Sequence, residues 1–303
     1  MFLRSVGFMK VVKDRTNLGI LLGFISAVAY GTNPLFGVPL IRVGFQVDSM
    51  LLFRFLLGGF VVFLIACLRK SNFRVGVRQC AALAVLGFLF AFSAEALFQS
   101  FKLMSASVAS TLLFLYPIFT AAIMWAFFGE KLNKFLFLAL VLSLTGVGLL
   151  FKDEGNSGIS LLGIAIVVLS ALTYSLYIIC VKKTSVCNMD GLVLTFYVLT
   201  IAGILTLLKS LASGTFQFPS NAFELYNTLA LAFVPTALAI ASIAYSIKYS
   251  GATIAAILGA FEPIAAVSIG VLFLGEPFTL QLALAIVLIL GAAFLIVAGS
   301  KRS

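Results

Sequence analysis

The amino-acid sequence predicts an all-α integral membrane protein, with about ten transmembrane helices in two inverted repeats of five. Apolar residues make up 62% of its 303 residues and charged residues only 10%, whereas a soluble domain carries roughly 25% charged residues. The apolar residues form blocks of about 20, which is the length that crosses a bilayer as a helix. A pattern of scarce residue types also recurs in the second half. The blocks lack the alternation at every second residue that is typical of membrane β-barrels.

Ten hydrophobic segments are the candidates for transmembrane helices. They cover residues 18–42, 49–68, 79–101, 104–128, 133–151, 158–181, 190–212, 225–249, 252–274 and 277–298. Turns are expected at Lys102, Gly251 and Glu276-Pro277, where one segment closely follows another. The sequence thus predicts a cytoplasmic N-terminal segment, a first repeat with helices 1–5, a second repeat with helices 6–10, and a cytoplasmic tail. Their predicted bounds are 1–17, 18–152, 158–298 and 299–303.

An internal repeat supports the division into two halves. Residues 106–151 and 252–297 align without gaps, with 16 identical pairs among 46. Because Leu and Ala inflate such a count, only the identical pairs of scarce residue types are informative. These pair Pro117 with Pro263, Gly129 with Gly275, and Glu130 with Glu276. A shorter match at a similar offset pairs Ser26-Ala27 and Tyr30 with Ser170-Ala171 and Tyr174. Repeats of this kind are typical of secondary transporters.

The distribution of Lys and Arg predicts the orientation. With a cytoplasmic N-terminus, 15 of the 20 Lys and Arg residues lie on the inner side, four lie outside, and Arg54 lies within a helix. This is the positive-inside bias, so both termini are predicted to be cytoplasmic. Five helices per half is an odd number, so the second repeat enters the membrane from the opposite side. The same asymmetry accounts for the net charge of +10, and no nucleic-acid partner is expected.

A proline followed by a Gly-Glu pair occurs once in each repeat. It is found as Pro117 with Gly129-Glu130-Lys131 and as Glu262-Pro263 with Gly275-Glu276-Pro277. This pattern resembles the EamA domains of the drug/metabolite transporter superfamily, as does the Ser-Ala run that ends at Tyr30. Many relatives have Trp at that last position. The resemblance spans all but the first fifteen or so residues. It implies two inverted five-helix EamA repeats and the uptake or export of a small organic solute.

Arg54, Glu95 and Glu262 are the ionisable residues inside the predicted spans. A charge near the bilayer centre costs about 2.5 to 3.5 kcal/mol on insertion scales, so such a residue faces a cavity, has a partner or acts in function. Arg54 and Glu95 lie at similar depth, and two interpretations stay open. They form an ion pair that only locks two helices, or Arg54 binds a substrate carboxylate while Glu95 shares its charge or titrates. Glu262, near the midplane, is either a structural carboxyl or a site for a substrate amine or a proton.

Prolines interrupt several of the predicted helices. Proline has no N–H, so Pro34 and Pro263 are expected to free the carbonyls of Tyr30 and Gly259. Interrupted helices line binding sites in transporters, although a simple packing kink is the alternative. The helix-break or gating candidates are Pro34, Pro117, Pro235 and Pro263. The substrate- or ion-binding candidates are Tyr30, Asn33, Arg54, Glu95, Tyr116, Tyr174, Tyr177 and Glu262.

Glu130 and Glu276 are expected to cap the helices that follow them, because a negative charge is favoured at a helix N-terminus. The sequence has no His, its four Cys form no CxxC motif, and its four Asp fall in predicted loops. We therefore expect no enzyme activity, no metal site and no cofactor. No Gly-rich loop ending in Gly-Lys-Ser/Thr is found, which argues against an ATP-driven pump.

These observations favour a secondary carrier in the bacterial inner membrane. It would move a small organic metabolite, such as an amino acid, by alternating access, with export favoured. Glu95 and Glu262 are the candidates for coupling to protons. A lipid-headgroup flippase, or a non-transporting membrane scaffold or sensor subunit, is the alternative. The substrate, the coupling and the oligomeric state, a homodimer included, stay open at this point.

Overall fold

The computed structural model describes residues 2–129, 134–151, 160–251, 254–255 and 258–299, and most of them are helical. In chain order the helices are α1 (Phe2–Gly31), α2 (Asn33–Arg42), α3 (Val47–Leu68), α4 (Val77–Ser100), α5 (Ala106–Leu113), α6 (Tyr116–Phe128), α7 (Lys134–Phe151), α8 (Leu161–Lys183), α9 (Gly191–Ala212), α10 (Ala222–Ala232), α11 (Ala239–Ser250), α12 (Phe261–Phe273) and α13 (Leu280–Gly299). A π-helical turn, Phe233–Leu238, joins α10 to α11. No strand occurs within the described ranges, so the all-α prediction is confirmed.

Seven helical stretches in the described part of the chain are long and apolar enough to cross a bilayer. Four are the single helices α3, α4, α8 and α9, and three are built from consecutive helices that follow each other through a break. The composite stretches are Thr16–Arg42, Ala106–Phe128 and Ala222–Ser250. Three shorter apolar helices run over Phe137–Leu149, Phe261–Phe273 and Leu280–Leu295. The chain is therefore a multi-pass membrane protein.

The most extensive helix packing joins the first half of the chain to the second. The pairs are α3 with α9, α1 with α11, α7 with α13, and α4 with α8. This set of contacts is the one that a two-fold relation between the halves would give. Such a relation would exchange α3 with α9 and α7 with α13. It would also place the contact between α1 and α11 on the contact between α8 and α4. The core of the protein is therefore the interface between its two repeats.

The equivalent helices α3 and α9 lie side by side and run in opposite directions. Asp48 near the start of α3 pairs with Lys209 near the end of α9, with 2.9 Å between Oδ1 and Nζ. Farther along α3, Gly59 approaches Leu199, which is earlier in α9. Because Gly59 has no side chain, the two helices can come close together at this point.

The Gly275-Glu276 pair of the second repeat ends one helix and caps another. Gly129 and Gly275 have φ values of +69° and +72°, which L-residues with side chains rarely adopt. After Gly275, the Glu276 carboxylate accepts hydrogen bonds from the backbone N–H groups of Ala106 and Ser107, at 2.6 and 2.9 Å, and from the Ser107 hydroxyl. Glu276 thus caps α5 in the other repeat.

The prediction that Glu276 caps the helix following it is wrong. That helix, α13, begins only at Leu280, whereas the first N–H groups of α5 lack partners within their own helix and lie within reach of the carboxylate. Sequence separation does not show this, because the capped residues lie 169 and 170 positions away along the chain. The matching prediction for Glu130 falls outside the described residues.

Removing the Glu276 carboxylate should destabilise the protein. In the Glu276→Ala variant, we expect the free energy of unfolding to fall by about 1 to 3 kcal/mol, because buried N–H groups of α5 lose a charged acceptor. The measurement is unfolding in detergent micelles, combined with Ser107→Ala in a double-mutant cycle. Ser268→Ala is the control, since the Ser268 hydroxyl donates to the Ile264 carbonyl of its own helix. Equal unfolding of wild type and Glu276→Ala would contradict the assignment.

Candidate functional site

Two adjoining cavities lie where the broken helices of both repeats meet. The large compartment has a volume of about 420 Å³ and the small compartment about 20 Å³. Four residues line both: Tyr30, Tyr116, Tyr174 and Glu262. Tyr30 and Tyr116 come from the first repeat, Tyr174 and Glu262 from the second. These four side chains therefore form a partition between the two compartments, and both repeats contribute to it.

Glu262 reaches the partition because a new helix begins beside it. Helix α12 starts at Phe261, so Glu262 lies in its first turn and Pro263 follows. A carboxylate is favoured in the first turn of a helix, and proline is tolerated there because the first N–H groups have no partner in the helix. Among the described residues, none donates a hydrogen bond to the half-buried Glu262 carboxylate. This carboxylate is consequently available to a ligand.

The carbonyls that proline was expected to free have partners. The Gly259 carbonyl accepts a hydrogen bond from the Glu262 N–H at 3.0 Å. The Tyr30 carbonyl accepts one from the Asn33 side-chain amide at 2.6 Å. The prediction of vacant carbonyls is therefore wrong at both breaks, because nearby groups replace the N–H that proline lacks. These bonds stabilise the breaks without occupying the cavity.

Arg54 is held at the small compartment by three contacts. Its Nε donates to the Thr236 hydroxyl at 3.0 Å, and its guanidinium carbon lies 6.0 Å from the centre of the Tyr30 ring and 5.5 Å from that of Phe98. Arg54 is only 3% exposed. It lines the small compartment together with Glu262 and does not line the large one. The structure thus places one cation and one carboxylate at the same partition.

Arg54 and Glu95 do not form the expected pair. The Glu95 carboxylate pairs with Lys209, which also pairs with Asp48 at 2.9 Å. Glu95 lines neither compartment. The side chains of Arg54 and Glu95 leave their helices towards different neighbours. Lys209 on α9 reaches the carboxylates of both Asp48 and Glu95. This cluster joins α3, α4 and α9 at a partly exposed position.

Thr236, which holds Arg54 at the small compartment, was not predicted from the sequence. It lies on the π-helical turn directly after Pro235, and its hydroxyl accepts from Arg54 while donating to the Leu231 carbonyl at 3.1 Å. Proline cannot donate a backbone hydrogen bond, which favours an irregular turn at this point. A buried threonine beside a proline within a hydrophobic span is the signal that could have identified it.

The tyrosines of the two repeats form an aromatic corner. The Tyr116 and Tyr174 ring centres are 4.9 Å apart, with their planes at 86°. Tyr177 stacks on Tyr174, with 5.7 Å between the ring centres, and lines neither compartment. The rings of Tyr116 and Tyr174 thus stand nearly at a right angle beside the large compartment, and Tyr177 packs against Tyr174.

The remaining candidates lie at the helix breaks. Asn33 begins α2 and lines neither compartment, and its Oδ1 atom is buried without a hydrogen-bond partner in the described part of the chain. Pro34 follows it in the first turn of α2, and Pro117 holds the equivalent place in α6 and lines the large compartment. Pro235 lies in the π-helical turn and Pro263 is buried in the first turn of α12. The four prolines therefore mark interruptions of helices around the cavity.

The bond between Arg54 and Thr236 should contribute measurably to stability. In Thr236→Val, which keeps the shape but removes the hydroxyl, we expect the free energy of unfolding to fall by about 1.5 to 3 kcal/mol, the range for hydrogen bonds to charged groups. The control Thr236→Ser retains the hydroxyl and should lose less than Thr236→Val. The measurement is unfolding in detergent. A Thr236→Val variant as stable as the wild type, or more stable than Thr236→Ser, would contradict this contribution of the hydroxyl.

Comparisons with known proteins agree with this architecture. The family model of the EamA-like transporter family matches residues 17–152 and 161–298. An uncharacterized transporter of Bacillus subtilis (strain 168), YdfC, is 29% identical over 257 residues, which are 83% of this chain and 82% of that protein. A solved crystal structure with no stated function shares the fold, with a TM-score of 0.64 at 20% identity, covering 94% of this chain and 98% of the other. The chain belongs to the EamA-like transporter family.

Proposed function

We propose that this protein is a secondary transporter that moves a small organic solute across the membrane by alternating access. The observation that carries the proposal is the Glu262 carboxylate, which faces the large compartment without a hydrogen-bond donor among the described residues. A partly buried carboxylate in an apolar cavity is costly unless a ligand or water pairs with it. Broken helices around a cavity between two repeats are the usual setting of a transport site.

The packing of the repeats supports an inverted arrangement of ten membrane helices. The equivalent helices α3 and α9 run in opposite directions, and the main contacts are those of a two-fold relation. In such an arrangement, exchanging the conformations of the two repeats moves the opening of the cavity from one side of the membrane to the other. We infer that the partition between the compartments lies near the bilayer midplane.

Hydrogen bonds connect helices of the two repeats at one end of the bundle. At that end the Glu276 carboxylate holds the start of α5, and Arg42 donates to the Leu274 carbonyl at 3.0 Å. The lining of the large compartment reaches the opposite end, with Gly23, Ile247 and Ala255. Under the positive-inside rule this opposite end is cytoplasmic, so the cavity would load from the cytoplasm. This supports export as the favoured direction.

Glu262 is our candidate for ion coupling, and the prolines at the helix breaks are the candidates for hinges. Glu262 faces the cavity and lies near a buried cation, whereas Glu95 is engaged with Lys209. A carboxylate that binds either a proton or the substrate can couple the movement of one to the movement of the other. In this proposal Tyr30, Tyr116 and Tyr174 contact the solute. Asn33 and Tyr177 do not contact it but hold Tyr30 and Tyr174 in position. The location we infer is the bacterial inner membrane.

A transport assay tests the proposal directly. Purified protein in proteoliposomes should exchange at least one labelled solute from a panel of amino acids, nucleobases, polyamines and aromatic amines. We expect Glu262→Gln to lower the rate at least about tenfold, because one lost interaction of about 1.4 kcal/mol has that effect. Glu224→Gln is the matched control, as Glu224 lies outside both compartments. Absence of exchange for the whole panel, or equal rates in wild type and Glu262→Gln, would contradict the proposal.

Cysteine labelling tests the orientation. Cys67, Cys80 and Cys187 are exposed at the helix ends that we assign to the cytoplasm. A membrane-impermeant maleimide should label them in inside-out vesicles and leave them unlabelled in intact cells. The control is Ser213→Cys in the cysteine-free variant, since Ser213 is exposed at the opposite end of the bundle. Labelling of the native cysteines in intact cells would reverse the orientation and the inferred direction of loading.

A further inference from the structure

The lining of the large compartment has an uneven chemical character. Among the described residues that line it, Glu262 is the single charged group, and neither Lys nor Arg lines it. Its other polar groups are three tyrosines and Ser26, and the Ser26 hydroxyl already donates to the Ala239 carbonyl at 2.8 Å. The remaining lining is mainly apolar, with Ile240, Ile243 and Phe294 among its side chains. A ligand in this compartment would therefore meet one negative charge, aromatic faces and aliphatic walls.

We propose that the large compartment binds organic monocations, which are molecules with one amine or ammonium group on an apolar body and without a carboxylate. The proposal rests on the transport function inferred above and names its substrate class. It departs from the amino acid suggested by the sequence alone, because an amino acid carries a carboxylate as well as an amine.

The carboxylate of Glu262 selects for positive charge. It faces the compartment and receives no hydrogen bond from a described residue. A protonated amine supplies both the opposite charge and up to three N–H donors. Such a charge-assisted hydrogen bond is roughly twice as strong as a neutral one. Glu262 is thus the anchor for the cationic end of the ligand.

The aromatic corner adds to this selection. The rings of Tyr116 and Tyr174 stand at 86° to each other and both line the compartment beside Glu262. Tyrosine faces attract cations, and such rings form the cages that recognise ammonium groups. Tyr30, the third tyrosine of this wall, already has the Arg54 guanidinium 6.0 Å from its ring centre. The same wall therefore holds a cation on the side of the small compartment.

Arg54 is poorly placed to bind a ligand carboxylate. It lines only the small compartment, whose volume of about 20 Å³ admits roughly one water molecule. Its Nε is already bonded to Thr236, and Tyr30 and Phe98 flank its guanidinium. A carboxylate in the large compartment would lose its hydration without gaining a cationic partner, which is strongly unfavourable. This argues against zwitterions and anions and leaves monocations as the favoured class.

The volume of the compartment limits the size of the apolar body. About 420 Å³ lies near the lower end of the range of ligand pockets, which is roughly 300 to 1,000 Å³. Such a space accommodates an amine with one or two rings. The aliphatic walls would contact this body while the amine reaches Glu262.

A matched series of probes tests the proposal. We would titrate the purified full-length protein in detergent with 2-phenylethylamine, phenylalanine and 3-phenylpropionate, which share a phenyl body and differ in charge. Titration calorimetry gives the Kd, and the shift of the unfolding midpoint gives an independent measure of binding. We expect 2-phenylethylamine to bind at least about tenfold more tightly than the other two, which corresponds to the loss of one good charged contact.

Variants assign the binding to the proposed groups. Glu262→Gln should weaken binding of 2-phenylethylamine at least about tenfold, while Glu224→Gln should leave it unchanged. Tyr174→Leu should weaken it by about threefold to tenfold through loss of a cation–π contact, and Tyr174→Phe, which keeps the ring, should retain it. Arg54→Gln should retain or tighten amine binding, because Arg54 competes for Glu262. The unfolding midpoint without ligand shows that each variant is folded.

The outcomes separate this inference from the transport function. Binding of phenylalanine that equals or exceeds that of 2-phenylethylamine would overturn the monocation proposal, and so would loss of amine binding in folded Arg54→Gln. Failure of the folded wild type to bind 2-phenylethylamine would overturn it as well. In each case, exchange of another solute in proteoliposomes would leave the protein a transporter. Lack of exchange across the whole panel would instead remove the function on which the inference rests.

Discussion

Backbone hydrogen bonding in lipid is the constraint on which the rest of this structure depends. Every N–H and C=O inside the membrane needs a partner, so a broken helix is tolerated only where other groups of the protein replace the missing bonds. At the break between α1 and α2, the Asn33 side chain bonds to the Tyr30 carbonyl. At the start of α12, the Glu262 N–H bonds to the Gly259 carbonyl. Because such breaks belong inside the bundle, they meet there and leave a cavity between the repeats.

The cavity concentrates the few charges that the interior contains. Arg54 and Glu262 both line the small compartment, so their opposite charges offset each other in a medium where a lone charge is costly. Thr236 holds Arg54 from an irregular turn, and no described residue holds the Glu262 carboxylate. This asymmetry matters for function. Arg54 is held in place by the fold, whereas the Glu262 carboxylate faces the compartment where a solute would bind.

Much of the architecture could be predicted from the sequence, because composition, periodicity and repetition are properties of the chain itself. The helical class and the family followed from hydrophobic segments and from the repeated Pro and Gly-Glu pattern. Partners were harder to predict. Arg54 and Glu95 were placed correctly within helices, but Arg54 bonds to Thr236 and Glu95 to Lys209. Depth along a helix can be counted from sequence, whereas the direction in which a side chain leaves the helix depends on how neighbouring helices pack.

The sequence by itself determined that this chain is helical, lies in a membrane and repeats one unit, since these properties follow from local hydrophobicity and from the order of residues. The tertiary structure decided which residues meet. It joined the Glu276 carboxylate to the start of α5, about 170 residues away, and gathered Tyr30, Tyr116, Tyr174 and Glu262 into one wall. The physical reason is that these contacts connect the two halves of the chain. Their geometry is set by the packing of one repeat against the other, which no single segment of the sequence encodes.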